Sequence, residues 1–140
     1  MGFVLEYDSS HDVLRVTVDG IVTDASVPEF YDAVKAYVPT HPSCSGILDV
    51  TAVTMFDVST SAIRQLAERP PAFPGGQFTV FVASRDYIYG LARMFQMLGE
   101  RSRPNLRVVR TLEEAYRLLG LETPKFGPVS WKPPVKEQAG

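Results

Sequence analysis

The stretch of this sequence best suited to chemistry is a serine at the predicted start of a helix, close to acidic residues. Asp49 ends a predicted buried strand, a short loop returns over 53–56, and Asp57 and Ser59 open a helix. Either of these two side chains could cap the helix by accepting hydrogen bonds from its first N–H groups. A phosphate at a helix start is also favoured by the helix dipole, and it would add about −1.5 to −2 charges beside Asp57. The spacing therefore indicates that Ser59 is a capping serine or a phosphorylation switch. Thr60 is the next residue along the predicted helix and belongs to the same candidate patch.

The remaining reactive side chains give little support to a metal site or a nucleophile. His41 and Cys44 share a proline-rich loop at ligand-like spacing, but zinc needs three or four ligands and only His11 remains. A Cys–His nucleophile pair likewise has no recognisable orienting group. Gly75-Gly76 precedes a strand, whereas a phosphate-binding glycine loop follows a strand and opens a helix. The sequence thus predicts no metal, no cofactor and no catalytic residue.

A second feature is the helix predicted over about 87–100, which carries apolar residues on two neighbouring faces. Its candidate interface or ligand residues are Tyr87, Leu91, Met94, Phe95 and Met97. A helix with two apolar faces buries both, and methionines suit adaptable contact surfaces. The second face could be covered by the C-terminal segment with Phe126 and Trp131, by a second copy of the chain in a homodimer, or by an apolar ligand.

These candidates must be positioned by an alternation of strands and helices. Apolar patterns predict strands at 3–7, 13–18, 47–50, 78–83 and 106–109, and helical stripes at 27–38, 62–67, 87–100 and 112–119. Capping-box spacing pairs Ser26 with Glu29 and Thr111 with Glu114 at two helix starts. The order β-β-α-β-α-β-α-β-α predicts an α/β fold, with a mixed, mostly parallel five-stranded sheet and four helices, entered through one hairpin.

Composition bounds the class of protein. The 140 residues are 45% hydrophobic and 21% charged, which suits one globular domain. A net charge of −2 is far from the basic balance of a nucleic-acid-binding protein. One cysteine cannot form an internal disulfide, no apolar run reaches the ~20 residues of a membrane span, and the N-terminus lacks a signal pattern. We therefore expect a cytoplasmic protein with a single domain over 1–120 and a proline-rich extended tail over 121–140.

The element order and the stretch around Ser59 resemble a STAS domain, the module of bacterial anti-sigma factor antagonists and of sulfate-transporter tails. Asp49 falls on that family's aspartate at the end of the third strand, and Phe56-Asp57-Val58-Ser59 falls on its Met-Asp-Ser-Ser-Gly-like motif. Ser59 thus matches the serine that a partner kinase phosphorylates in the antagonists. The resemblance covers about residues 3–120.

Three positions depart from the family motif, at Val58, Thr60 and Ser61. They stand where the family has a serine, a glycine and an apolar residue. The segment 87–96 is more similar to that of stand-alone bacterial STAS-like proteins, a group that also resembles CRAL-TRIO lipid-binding domains in architecture. Fold does not fix function across such relatives.

The resemblance implies a non-enzymatic regulatory binding module, similar to an anti-sigma factor antagonist and switched at Ser59. Its expected partner is an anti-sigma factor or kinase-like protein. The expected contact residues are Asp49, Asp57, Ser59 and Thr60. The alternative function is binding of a small molecule or lipid, in a CRAL-TRIO-like architecture with an apolar cavity bordered by Tyr87, Leu91, Met94 and Phe95.

Overall fold

The element order of the chain follows the predicted one, with one additional strand. A computed structural model describes residues 2–73 and 77–129. The strands are β1 (Gly2–Asp8), β2 (Val13–Thr23), β3 (Ser45–Asp57), β4 (Thr79–Val82), β5 (Leu106–Val109) and β6 (Gly127–Pro128). The helices are α1 (Val27–Tyr37), α2 (Thr60–Glu68), α3 (Asp86–Leu98) and α4 (Leu112–Leu118), and a 3-10 turn (Val38–Thr40) follows α1.

The strands form one mostly parallel sheet in the order β5-β4-β3-β2-β1-β6. Strands β2 to β5 are parallel, whereas β1 is antiparallel to β2. The three crossover connections from β2 to β3, from β3 to β4 and from β4 to β5 each lead to the neighbouring strand, and all three move across the sheet in the same direction. Because such crossovers are right-handed in about 98% of cases, α1, α2 and α3 all lie on one face of the sheet. The predicted mixed α/β fold with four helices is confirmed.

The predicted strand count of five is wrong by one, because Gly127–Pro128 pairs with β1 as a short edge strand. The backbone N–H of Val129 also donates to the carbonyl of Leu5 at 3.0 Å. A Gly-Pro pair has no alternating apolar pattern, so it gives no strand signal. The segment 121–129 therefore returns to the sheet, while residues 130–140, which include Trp131, lie outside the described residues.

Two hydrophobic cores lie on the two faces of the sheet. The larger core lies under α1, α2 and α3, and its sheet residues include Leu14, Val16 and Val18. The smaller core lies under α4, where Val80 and Ala115 are fully buried. In β4, Val80 and Val82 face the smaller core and Phe81 faces the larger one, as expected when successive side chains of a strand point to opposite faces of the sheet.

Strands β2 and β3 extend further than the sequence predicts. Strand β2 passes two irregularities of register and continues to Thr23, and Gly20 supplies a φ of 74° at the second one. Strand β3 continues to Asp57, so the predicted loop over 53–56 is wrong. In this outer part of β3, the backbone is held by parallel pairing with β2. Most of the side chains there face solvent, so they show no apolar pattern that would predict a strand.

The two predicted capping boxes differ in outcome. Thr111 caps α4, because its hydroxyl accepts the N–H of Glu114 at 3.1 Å. Ser26 makes no cap hydrogen bond to α1. Its hydroxyl instead accepts the N–H of Thr23 at 2.7 Å and donates to the Thr23 carbonyl, which closes a tight turn between β2 and α1.

Candidate functional site

The start of α2 is a capped and solvent-exposed helix end. Ser59 has an extended backbone, and its hydroxyl accepts the N–H of Ala62 at 3.1 Å. Of the two side chains that could cap this helix, Ser59 is the one that does. Asp57 is the last residue of β3, and Thr60 is the first residue of α2. All three side chains are exposed, so a partner can reach them.

Asp24 binds Ser59 through both oxygens of its carboxylate. The N–H of Ser59 donates to Oδ1 and its hydroxyl donates to Oδ2, each at 2.7 Å. The hydroxyl bond, and then the N–H bond, lower the pKa of Asp24 below its ordinary value because both stabilise the carboxylate. The contact arises because Thr23 and Asp57 are register partners, so residues that follow β2 and β3 meet at one edge of the sheet.

These residues form an open groove, which we call the Ser59 groove. It is lined by Thr23, Asp24, Ala25, Asp57, Val58, Ser59, Thr60 and Tyr87. Tyr87 is 64% exposed, so the groove combines an accessible aromatic residue with two carboxylates. The described residues that line it include no lysine or arginine. The groove therefore presents negative charge and a hydroxyl to a partner.

The structure does not bring Asp49 to the Ser59 groove. Asp49 lies in the middle of β3, eight residues before Asp57, which corresponds to roughly 25 Å along an extended strand. Asp49 is 5% exposed, and its carboxylate accepts the N–H and the hydroxyl of Thr51 at 2.9 and 2.7 Å. Asp49 therefore has a local structural partner on the strand.

Comparison with known proteins identifies the fold. No protein-family model matches the chain, and no curated protein matches it. The crystal structure of an anti-sigma factor antagonist from Mycobacterium paratuberculosis matches 86% of this chain and 94% of its own, at 18% sequence identity and a TM-score of 0.51. The protein has a STAS-like fold. The fold predicted from the resemblance is thereby confirmed.

In this STAS-like fold the Ser59 groove lies outside the carboxyl ends of β2 and β3. Open α/β sheets bind their ligands in crevices at the carboxyl ends of parallel strands, so the position is a favourable one for recognition. Among the residues that the structure describes, no helix is long and apolar enough to cross a membrane.

The candidate residues on α3 do not gather at one site. Tyr87 and Met97 are 64% and 69% exposed, whereas Leu91 and Met94 are partly buried. Phe95 is buried and stacks on Phe81, with ring centroids 5.4 Å apart. The structure has an apolar cavity, but of these five residues only Phe95 lines it. Tyr87, Leu91 and Met94, the other residues predicted to border an apolar cavity, do not line this one.

Phe126, one of the residues predicted to fold back over the second face of α3, does not cover it. Phe126 packs on the other face of the sheet, beside α4. Its ring lies 6.0 Å from that of Tyr116 and 4.1 Å from the guanidinium of Arg15. On the second apolar face of α3, Tyr87 and Met97 stay exposed, whereas Met94 is partly buried against the larger core.

The histidines and the cysteine occupy structural positions. The ring of His41 stacks on Tyr37 with centroids 5.1 Å apart, and Cys44 is fully buried. The Nδ1 of His11 lies 3.0 Å from Oδ2 of Asp8. Within the described ranges, no three His, Cys, Asp or Glu residues are placed to hold a metal ion.

Cys44 should be unreactive until the protein unfolds. Burial, and then the negative charge of Asp12, raise its pKa to about 11. At pH 8 only about one thiol in a thousand is then ionised, and the thiolate is the reactive form. We expect native protein to resist a disulfide exchange reagent at pH 8 for hours and to titrate one thiol in 6 M guanidinium chloride. Rapid stoichiometric reaction of native protein would contradict the burial of this side chain.

Proposed function

We propose that the protein is a non-enzymatic regulatory module that binds a protein partner at the Ser59 groove and is switched by phosphorylation of Ser59. The observation that carries the proposal is the exposed Ser59 hydroxyl, which both caps α2 and donates to Asp24. A similar fold occurs in an anti-sigma factor antagonist, which supports a regulatory rather than a catalytic role. The expected partner is an anti-sigma factor or kinase-like protein, and we expect the encounter in the cytoplasm.

Phosphorylation would change this groove without unfolding the domain. A phosphate adds about −1.5 to −2 charges and has no hydrogen to donate to Asp24. Two negative groups would then replace a hydrogen-bonded pair whose oxygens are now 2.7 Å apart, so Asp24 and the turn after β2 would separate from the start of α2. The N–H groups of α2 still favour a negative charge at this position. The change is therefore confined to the groove.

The proposed partner footprint comprises the exposed groove residues Asp24, Asp57, Ser59, Thr60 and Tyr87. We leave Asp49 out of it because this residue is buried and distant along β3. When Ser59 is unmodified, the pairing of its hydroxyl and N–H with Asp24 fixes the shape of the groove that a partner meets. Added negative charge on Ser59 would repel the Asp24 carboxylate and change that shape, so the expected loss of binding follows from the displacement of Asp24.

The proposal is tested by capture of partners from a lysate of the source organism, followed by affinity measurement with the partner found. The baits are wild type, Ser59→Ala, Ser59→Asp and Ser59→Asn. Asparagine caps a helix about as well as aspartate, and its amide can donate to Asp24, so the Asp and Asn variants differ mainly in charge. We expect wild type, Ala and Asn baits to retain a partner that the Asp bait binds at least tenfold more weakly.

A matched control lies at the start of α4, where Thr111 makes the same kind of cap. Thr111→Asp and Thr111→Asn impose the same chemical difference on another helix start, and we expect them to bind the partner equally. Equal affinities of Ser59→Asp and Ser59→Asn would exclude a charge switch at Ser59. Tandem mass spectrometry of protein purified from the source organism would locate the modified residue directly.

A further inference from the structure

An apolar cavity of about 370 Å³ lies between the sheet and the helices, near the amino ends of β3, β4 and β5. Its apolar wall includes Phe30, Leu48, Leu66, Phe73, Phe81 and Phe95. This volume falls within the range of small-molecule sites. Leu66 belongs to the last part of α2, so the cavity lies at the opposite end of this helix from Ser59.

The wall of the cavity is shaped by specific packing. Phe81 and Phe95 stack almost in parallel, with an interplanar angle of 4°. Phe73 lies against the backbone of Gly46, where a Cβ atom would overlap its ring. Glycine at this position therefore lets the Phe73 ring pack against the beginning of β3. The aromatic side chains are held by these neighbours, which limits their ability to collapse into the space.

One polar atom at the cavity has no hydrogen-bond partner among the residues that the structure describes. The Oε1 atom of Gln77 is buried, and no described residue donates a hydrogen bond to it. Two other polar side chains at the cavity, those of Tyr31 and Arg103, are engaged by backbone carbonyls. Tyr31 donates its hydroxyl to Pro70, and Arg103 donates to Ala67 and Arg69. A buried acceptor without a donor is rare in folded proteins, and it marks where a ligand donor would be stabilised.

We propose that this cavity binds a small uncharged molecule with an apolar body and one hydroxyl or N–H group that donates to Gln77. The apolar body follows from the lining, and the donor follows from the Oε1 atom of Gln77, which no described residue pairs. The absence of net charge follows because the described lining holds no carboxylate, and its one cation, Arg103, is occupied by carbonyl groups. A charged ligand would lose its hydration without gaining a free counter-charge.

The test compares indole with indene, which has nearly the same shape but no N–H donor. Binding to the full chain is measured by titration calorimetry and by chemical-shift changes of backbone amides. We expect indole to bind at least tenfold more tightly than indene, with shifts concentrated at residues that line the cavity. Equal affinities, or shifts confined to other surfaces, would overturn the proposal.

The variant Gln77→Leu separates the donor contact from simple hydrophobic binding. It removes the unpaired acceptor, so we expect indole and indene to bind it equally and its melting temperature to be unchanged or higher. Gln65→Leu makes the same change on the exposed side of α2 and should preserve the tenfold preference. Preserved preference in Gln77→Leu would show that the ligand donor lies elsewhere and would overturn the assignment.

Two further measurements test the cavity and the ligand class. Ala72→Phe fills the space next to Phe73 and should abolish indole binding while the amide spectrum stays native. If this variant does not fold, the Gln77→Leu comparison still decides the proposal. Indole-3-propionate carries a carboxylate and should bind more weakly than indole. Tighter binding of this anion would assign the cavity to anionic ligands through Arg103 and would contradict the uncharged class.

Discussion

Asp8→Ala should melt about 10 °C below wild type at pH 7. Asp8 is 1% exposed, and its carboxylate accepts four hydrogen bonds. Oδ1 accepts the N–H groups of Ser10 and His11 at 2.9 and 3.1 Å. Oδ2 accepts the N–H of Lys125 at 2.9 Å and faces Nδ1 of His11 at 3.0 Å. One carboxylate thus holds the β1–β2 turn and joins it to the C-terminal segment.

The expected loss of stability is large because the donors around Asp8 cannot all find water after truncation. A hydrogen bond to a charged group contributes about 1.5–3 kcal/mol, and contributions that share one side chain do not add fully. We therefore expect a loss of about 3 kcal/mol, which corresponds to about 10 °C for a domain of this size. Thermal unfolding followed by circular dichroism measures it. Asp19→Ala, an exposed aspartate on the same ribbon, should change the melting temperature by less than about 2 °C.

The Asp8 contribution should also depend on pH. Burial by itself raises the pKa of Asp8. The hydrogen bonds from the N–H of Lys125 and from the ring and N–H of His11 lower the pKa by more than burial raises it, so it lies below the ordinary value of 3.8. A group whose pKa is lowered by folding stabilises the protein above its unfolded pKa, and this stability is lost as the pH falls through the folded pKa. The stability difference between wild type and Asp8→Ala should therefore be constant near neutral pH and shrink below about pH 4. A difference that grows on acidification would contradict this sign.

Much of the fold could be predicted from the sequence because its helices and central strands have clear apolar periods. The Thr111 cap of α4 followed from the same kind of local pattern. The extension of β3 to Asp57 did not, because its outer half is a strand with solvent-exposed side chains that only the pairing with β2 stabilises. The edge strand Gly127–Pro128 likewise depends on the exposed edge of β1 rather than on its own sequence.

The candidate site could be predicted in part for the same reason. The role of Ser59 as a helix cap is local, so the spacing indicated it. Its bond to Asp24 joins residues 35 positions apart, and it exists only because β2 and β3 are parallel neighbours that end together. Residues that directly follow two adjacent parallel strands lie close together, so the position of Asp24 just after β2 could have indicated this bond. That inference needs the strand ends, which the sequence pattern did not predict. The distance of Asp49 from Ser59 followed only from the full length of β3.

Arg103→Ala should lower the stability by about 2–3 kcal/mol, although the side chain makes no ion pair among the described residues. Its guanidinium donates to the carbonyls of Ala67 and Arg69 at 3.0 and 2.8 Å, and it lies 4.9 Å from the centre of the Phe95 ring. These carbonyls belong to the end of α2, where the last groups of a helix have no partner within it. The positive charge also complements the negative end of the helix dipole. Arg103 thereby fixes the end of α2 to α3.

Chemical denaturation of Arg103→Ala, Arg103→Lys and Arg101→Ala tests this role. Lysine keeps the charge but lacks the planar fork of donors, so we expect about half of the stability loss. Arg101 is exposed two residues earlier, and its truncation should cost less than about 0.5 kcal/mol. Equal stabilities of the Arg103 and Arg101 variants would contradict the contacts at the end of α2.

The Arg103 variant also separates the framework of α2 from the proposed switch at its beginning. Ser59 begins this helix and Arg103 holds its other end, so the two side chains act on one element through different contacts. We expect the partner to discriminate between Ser59→Asp and Ser59→Asn by the same factor with or without Arg103→Ala, at a temperature where each variant is folded. This follows because the charge on residue 59 acts on Asp24, which Arg103 does not contact. A discrimination factor that collapses in the Arg103 background would mean that the switch works by moving α2 as a whole rather than by changing the groove.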